Sequence, residues 1–406
     1  MSAVDAASVR DPGTTFPCFD GLRALAAIMV VLHHASFPTG RISNGYFAGF
    51  FTHLDIGVAV FFLISGFLLY RPFVAAALEG RAAPSVRRFF RRRLLRIYPA
   101  YWVALIGIMV FFGLPVPVRG ARSYFEYFTL TQTYDSIRRA PGGISQAWTL
   151  SVELSFYAFL PLYAWAMRRW YESRSPELRV RFEIAGLVAM YAVSIAFREL
   201  VFKLHPGRVH DLGIYWLPAN LDYFALGMAL AVASAWLATR DASSPWAEIV
   251  GRLSILWWLV ALGAFYVVSK RLGLPLGIAR VDGSKSFERQ FLYGASAFFL
   301  LLPAVFGRQD RGFVRRFLRW PPMVYFGLIS YGIYLWHQAW IGQAFDWEKK
   351  PLFLASFAAV LTTALAWTLV TASLSWFLVE RPLLRVRDRD RTPPGAARAP
   401  SVRATP

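Results

Sequence analysis

Runs of apolar residues alternate with short polar stretches along almost the whole chain. A helix of about 20 apolar residues crosses a hydrocarbon core roughly 30 Å thick. The pattern predicts about ten such helices, near residues 17–37, 54–76, 97–115, 148–168, 183–201, 214–238, 253–269, 290–307, 323–344 and 352–379. The fold class expected is an all-α polytopic membrane protein.

The polar stretches differ in charge. The one after the second run holds Arg71, Arg81, Arg87, Arg88, Arg91, Arg92, Arg93 and Arg96, and the one after the fourth holds Arg168, Arg169, Arg174, Arg179 and Arg181. Arg308, Arg311, Arg315, Arg316 and Arg319 follow the eighth, and the tail is again rich in arginine, whereas only Arg41 follows the first. Basic loops stay on the cytoplasmic side, so the balance places both termini in the cytoplasm and calls for an even number of crossings. The segment after the seventh run, with Lys270, Arg271, Arg280, Lys285 and Arg289, goes against that trend.

Residues 1–16 read as a cytoplasmic N-terminal segment and 17–385 as one membrane domain. Residues 386–406, rich in Pro, Ala and Arg, read as a disordered basic tail. Asp20 and Arg23 interrupt the first run, so it is not expected to be a cleaved signal peptide.

Composition agrees with lipid as the solvent: of 406 residues, 56% are hydrophobic and 17% charged, against about a quarter charged in soluble domains. A net charge of +20 could suggest a nucleic acid partner. Here the basic residues flank the apolar runs, which suits anionic lipid headgroups instead. The single cysteine, Cys18, excludes an internal disulfide framework and a cysteine-based zinc cluster, and no metal centre is expected.

Ionisable residues inside membrane helices are costly and mark functional sites or buried pairs. In the first run, FDGLRALAAIMVVLHHASF, Arg23 and His34 lie about 20° apart around a helix and about 16 Å apart along it. With the N-terminus inside, Arg23 sits near the cytoplasmic surface and His34 in the outer half. Taken alone, Arg23 could simply snorkel to the headgroups. Glu153, near the start of the fourth run, falls at about the depth of His34, where a carboxylate could orient an imidazole or serve a purely structural role. Ser65-Gly66 in the second run fits close helix packing through small residues. Asp55, Asp222 and His337 are further polar groups that could line a cavity or hold helices together. Arg93 and Arg96 are three residues apart on one helical face, and such a pair can bind phosphate through charge-assisted hydrogen bonds.

In order, the stretches FDGLRALAAIMVVLHHA, GVAVFFLISGFLL, RRRLLRIYPAYW, QAWTLSVELSFY, LDYFALG, ISYGIYLWH and VERPLLR resemble the acyltransferase family 3 of integral-membrane acyltransferases, from about residue 19 to residue 385. The resemblance implies that His34 is the essential histidine and Arg23 its partnered arginine. It implies that Arg93 and Arg96 handle the acyl donor and that Glu153 is the glutamate of a Ser-x-Glu segment. Leu154 stands where many members have a second acidic residue. The donor implied is an acyl-CoA, acetyl-CoA foremost, used as substrate with no permanently bound cofactor. The implied acceptor is a hydroxyl of a cell-surface glycan, lipid-linked sugar or glycosylated small molecule, at the plasma (inner) membrane of a bacterium. A proton-coupled transporter or exporter is the competing reading; the lack of repeat-related halves and the clustering of polar groups in the first four runs favour the enzyme.

Overall fold

The computed structural model describes residues 16–113, 120–134, 143–171, 173–204, 212–240, 245–277, 281, 283–309 and 311–389. The expected N-terminal segment up to residue 15, Arg280 and the tail from 390 lie outside them. Among the described residues every regular element is helical. The long helices are α1 (Cys18–Ser36), α2 (Gly57–Leu78), α3 (Val86–Phe112), α4 (Trp148–Tyr171), α5 (Pro176–Lys203), α6 (Leu221–Ala238), α7 (Ser254–Lys270), α8 (Ser284–Val305), α9 (Ser330–Glu348) and α10 (Phe357–Ser375).

Each predicted run has its helix, and local chemistry explains where the ends moved. The Ser85 hydroxyl caps α3 by accepting from the Arg88 amide, so the arginine-rich stretch expected as a loop is helical from Val86 onward. Ser175 caps α5 ahead of Pro176, a residue suited to a first helical turn, and Ser356 caps α10. The ninth run divides into Pro321–Leu328 and α9. α10 continues through a π-helical turn, Trp376–Glu380, into Arg381–Arg389.

Among the described residues, seven helices are long and apolar enough to cross a membrane, or up to eight if Pro245–Arg252 and α7, bent by 65°, count as one span. α8 opens with Lys285, Glu288 and Arg289, and α9 carries His337, Gln338, Gln343 and Asp346; these residues lower their hydropathy. The basic segment between α7 and α8 is held locally. Lys270 sits over the Tyr46 ring and donates to the Tyr46 carbonyl, Lys285 donates to the Gly273 carbonyl, and Arg289 lies over Tyr293.

In lipid, helices associate by close packing and polar contacts, since the tails are as apolar as leucine. Backbone-to-backbone contact at glycines is the rule here. A Cβ on Gly66 would stand 2.4 Å from the Phe224 carbonyl oxygen, and one on Gly227 would stand 2.1 Å from that of Leu63, so α2 and α6 touch reciprocally. The packing expected at Ser65-Gly66 therefore belongs to Gly66. Gly57 meets the Ala26 carbonyl, and Gly327 meets that of Asp20; α1 is thereby gripped by α2 and by Pro321–Leu328.

Three further polar ties join the bundle. Asp222 on α6 accepts from Ser194 on α5 and from Gln290 on α8, and Arg198 donates to Ser286. Glu183 on α5 accepts from Tyr70 and Tyr171, each at 2.5 Å. Asp55 accepts from Tyr293 at 2.5 Å. Asp222 and Asp55 thus hold helices together rather than line the cavity described next.

Candidate active site

Arg23, Arg93, Arg96 and Glu153 come from three helices and line one cavity, together with Ser65 and Tyr334. It lies between α1, α2, α3, α4 and α9 and holds about 810 Å³ counted to its open mouth. Because α3 is helical through the arginine stretch, Arg93 and Arg96 reach the cavity from one face, with the Arg93 guanidinium over the Phe89 ring at 6.0 Å. Arg23 pairs with Asp20 one turn earlier, at 2.5 Å. Glu380, at the end of the π-helical turn, lies close enough to interact electrostatically with Arg96 and Tyr331, and π-helical turns often mark functional sites.

Glu153 was expected to orient His34, and the structure corrects this. Its carboxylate accepts from the Ser65 hydroxyl at 2.7 Å, with Tyr157 beside it. The start of α4 is docked on α9, since the Gln146 side-chain amide donates to the carbonyls of Tyr334 and Leu335 at 2.8 and 3.1 Å. That docking sets Tyr334 on the wall beyond Glu153. The Tyr334 hydroxyl meets Thr149 at 2.8 Å and donates to the Gln146 carbonyl at 3.0 Å.

The partner of His34 is His337. His34 Nδ1 lies 2.9 Å from His337 Nε2, and His337 Nδ1 lies 3.1 and 2.8 Å from the carbonyl oxygens of Ile333 and Tyr334. The hydrogen-bond network assigns the tautomers. Two carbonyls can only accept, so His337 carries its proton on Nδ1 and offers the Nε2 lone pair. His34 must then donate from Nδ1, which leaves its own Nε2 unprotonated. His337 is fully buried and His34 is half-buried. His33 is engaged differently, donating from Nδ1 to the Phe51 carbonyl at 3.0 Å.

The two histidines do not line the cavity; the Tyr334 ring, 5.8 Å from that of His337 and 6.0 Å from Phe61, stands between. Four of the five site residues singled out in the sequence therefore share one cavity and the fifth lies behind its far wall. Ser65, Thr149 and Tyr334 were not singled out for the site. Ser65 precedes a packing glycine by about 100° of helix, and a lone hydroxyl in an apolar run carries no periodic signal. His337 was visible as an intramembrane histidine, but its partner is 303 residues away.

Residues 16–372 match the acyltransferase domain family. The chain belongs to acyltransferase family 3. Over 91% of its length it is 27% identical to nodulation protein 10 of Rhizobium leguminosarum bv. viciae, covering 93% of that protein. The exopolysaccharide production protein ExoZ of Rhizobium meliloti is 26% identical over 87% of this chain and 95% of its own. The peptidoglycan O-acetyltransferase OatA of Listeria monocytogenes is 24% identical over 79% of this chain. The chain spans 48% of that last protein, so about half the length of such relatives has no counterpart here. No solved structure matches.

Proposed function

We propose that this acyltransferase moves an acetyl group from acetyl-CoA on the cytoplasmic side to a hydroxyl of a cell-surface carbohydrate or related glycoside, in the plasma membrane of a bacterium, with both termini inside. The observation that carries the reading is the joint one: a cavity with Arg23, Arg93 and Arg96 on its wall, ending at Tyr334, behind which His34 holds an unprotonated Nε2. Residues 17–385 act as the membrane domain throughout. Relatives named for peptidoglycan O-acetylation and exopolysaccharide production support a glycan acceptor.

The diphosphate and 3′-phosphate of the donor suit guanidinium groups, with Arg93 and Arg96 as the principal partners and Arg23, tied to Asp20, further in. The pantetheine arm is of the same order of length as the axial distance from Arg23 to His34, about 16 Å by helical rise. His34 Nε2 then takes the proton of the acceptor hydroxyl. The hydroxyl oxygen attacks the thioester carbonyl, the carbon–sulfur bond breaks, and the proton passes from His34 to the departing CoA thiolate. His337 accepts the Nδ1 hydrogen bond while His34 is positively charged. Glu153, with Ser65, holds a polar, negatively charged spot on the cavity wall.

The test is the purified protein in proteoliposomes with radiolabelled acetyl-CoA and soluble muropeptides or exopolysaccharide fragments. Labelled ester should form on the glycan, and His34→Ala should abolish it at unchanged protein level and membrane insertion. A wild-type protein that moves solute across the vesicle wall and leaves no acylated product would instead identify a transporter.

A further inference from the structure

An acceptor approaching from outside needs a place to rest near the end of α1 opposite Arg23, and a second concavity lies there. It is walled by the turn after α1 and by the segment leading into α10, with Arg41, Asn44, Phe353, Ser356 and Phe357 on its surface. Counted to its open mouth, solvent included, it holds about 890 Å³. Thr39, on the same wall, lies five residues beyond His34 in the turn that follows α1, and its hydroxyl donates to the Ala35 carbonyl at 3.0 Å.

The two walls are pinned to each other. The Phe353 amide donates to the Pro38 carbonyl at 2.9 Å, and Gly40 accepts from the amides of Ser43 and Asn44 at 3.2 and 3.0 Å. Gly40 has φ +72°, and a Cβ there would stand 2.9 Å from the Phe353 carbonyl oxygen, so only glycine lets the segments close this far. Phe353 itself has φ 72°, a conformation that bulky residues rarely adopt and that surrounding structure must impose. Its ring is nonetheless left 45% exposed, braced edge-on by Phe37 at 5.8 Å. The Thr52 hydroxyl, donating to the Ile42 carbonyl at 2.7 Å, fixes the back of the turn. Against this rigid frame the side chains of Arg41 and Asn44 are exposed and, among the described residues, form no hydrogen bond within the chain.

We infer that this groove is the acceptor subsite, taking one or two sugar residues of a glycan. This rests on the glycan-acylating reading above. Sugars present apolar ring faces edged by hydroxyls. A preset aromatic ring flanked by an amide and a guanidinium meets both kinds of surface. A glycan seated there directs a hydroxyl down the end of α1 toward His34, whose half-buried ring is the more open of the histidine pair.

Two measurements on the purified full chain test the assignment. The first is binding of soluble N-acetylglucosamine oligomers and muropeptides, by saturation-transfer NMR and calorimetry without donor, to wild type, to Arg41→Ala with Asn44→Ala, and to Phe353→Gly. The second is the KM for acceptor and for acetyl-CoA in the transfer assay. Dissociation constant and acceptor KM should rise at least tenfold in the double variant, with the acetyl-CoA KM within twofold of wild type. Both substituted side chains are solvent-exposed, so an unchanged melting temperature in detergent separates this from misfolding. Oligosaccharide binding unaltered by the double variant, or absent from wild type, overturns the subsite. If wild type binds glycan but transfers no acetyl group, the proposed function fails while the groove stands.

Discussion

The His34–His337 pair makes the sharpest claim about mechanism. His337 is fixed by two backbone carbonyls and receives the Nδ1–H of His34 at 2.9 Å. In the proposed mechanism His34 carries positive charge in the transition state, so this hydrogen bond becomes a charge-assisted one, worth about 1.5–3 kcal/mol. At about 1.36 kcal/mol per decade of rate, His337→Ala should lower kcat by roughly 10- to 150-fold. The loss stays short of removing the base itself, which general-base catalysis puts at about 100- to 10,000-fold. His337→Gln keeps an acceptor oxygen within reach of His34 Nδ1 and should recover most of the loss, whereas a merely space-filling role would be met equally by His337→Leu. The assay is transfer of label from acetyl-CoA in proteoliposomes, with kcat and both KM values measured and the melting temperature followed in parallel. Wild-type kcat in His337→Ala, or equal losses in the Gln and Leu variants, refutes the reasoning.

Arg93→Ala and Arg96→Ala should each raise the acetyl-CoA KM by roughly 10- to 150-fold, the value of a charge-assisted hydrogen bond. For a residue that contacts the 3′-phosphate, the increase should largely vanish with 3′-dephospho-acetyl-CoA as donor. At the α2–α6 contact, Gly227→Ala places a methyl 2.1 Å from the Leu63 carbonyl oxygen and should destabilise by about 1–3 kcal/mol, as overpacking does, seen as a lower melting temperature in detergent. Gly342→Ala, with nothing within 4 Å of the added carbon, should leave that temperature unchanged or raise it.

Much of the architecture was legible because lipid enforces a simple code: about twenty apolar residues per crossing, with polar residues only where partners wait. Helix ends were less so. The start of α3 depends on Ser85 capping a stretch whose charges alone read as a loop. The site was legible to the extent that each residue announced itself locally. Arg23 and His34 share a helical face, and Arg93 and Arg96 share another, so both pairs follow from spacing. Glu153 stands out in the sequence as an intramembrane carboxylate, and it lines the cavity, but its partner there is Ser65. Whether it meets His34 or Ser65 depends on how α4 docks against α9 through Gln146, a contact between segments nearly two hundred residues apart. The pairing of His34 with His337 has the same origin.

The reciprocal glycine contact between α2 and α6 stiffens one wall of the cavity. Ser65 sits beside Gly66, on a helix whose backbone already rests on its neighbour, so that side cannot yield without tearing main chain from main chain. Further along, α2 carries Pro72 and α3 carries Pro99 within the helix, where one backbone hydrogen bond is forfeited, and α9 is separated from Pro321–Leu328 by a break in the helix at Ile329. The cavity is therefore braced by main-chain contact where α2 meets α6, and walled elsewhere by helices that carry their own interruptions.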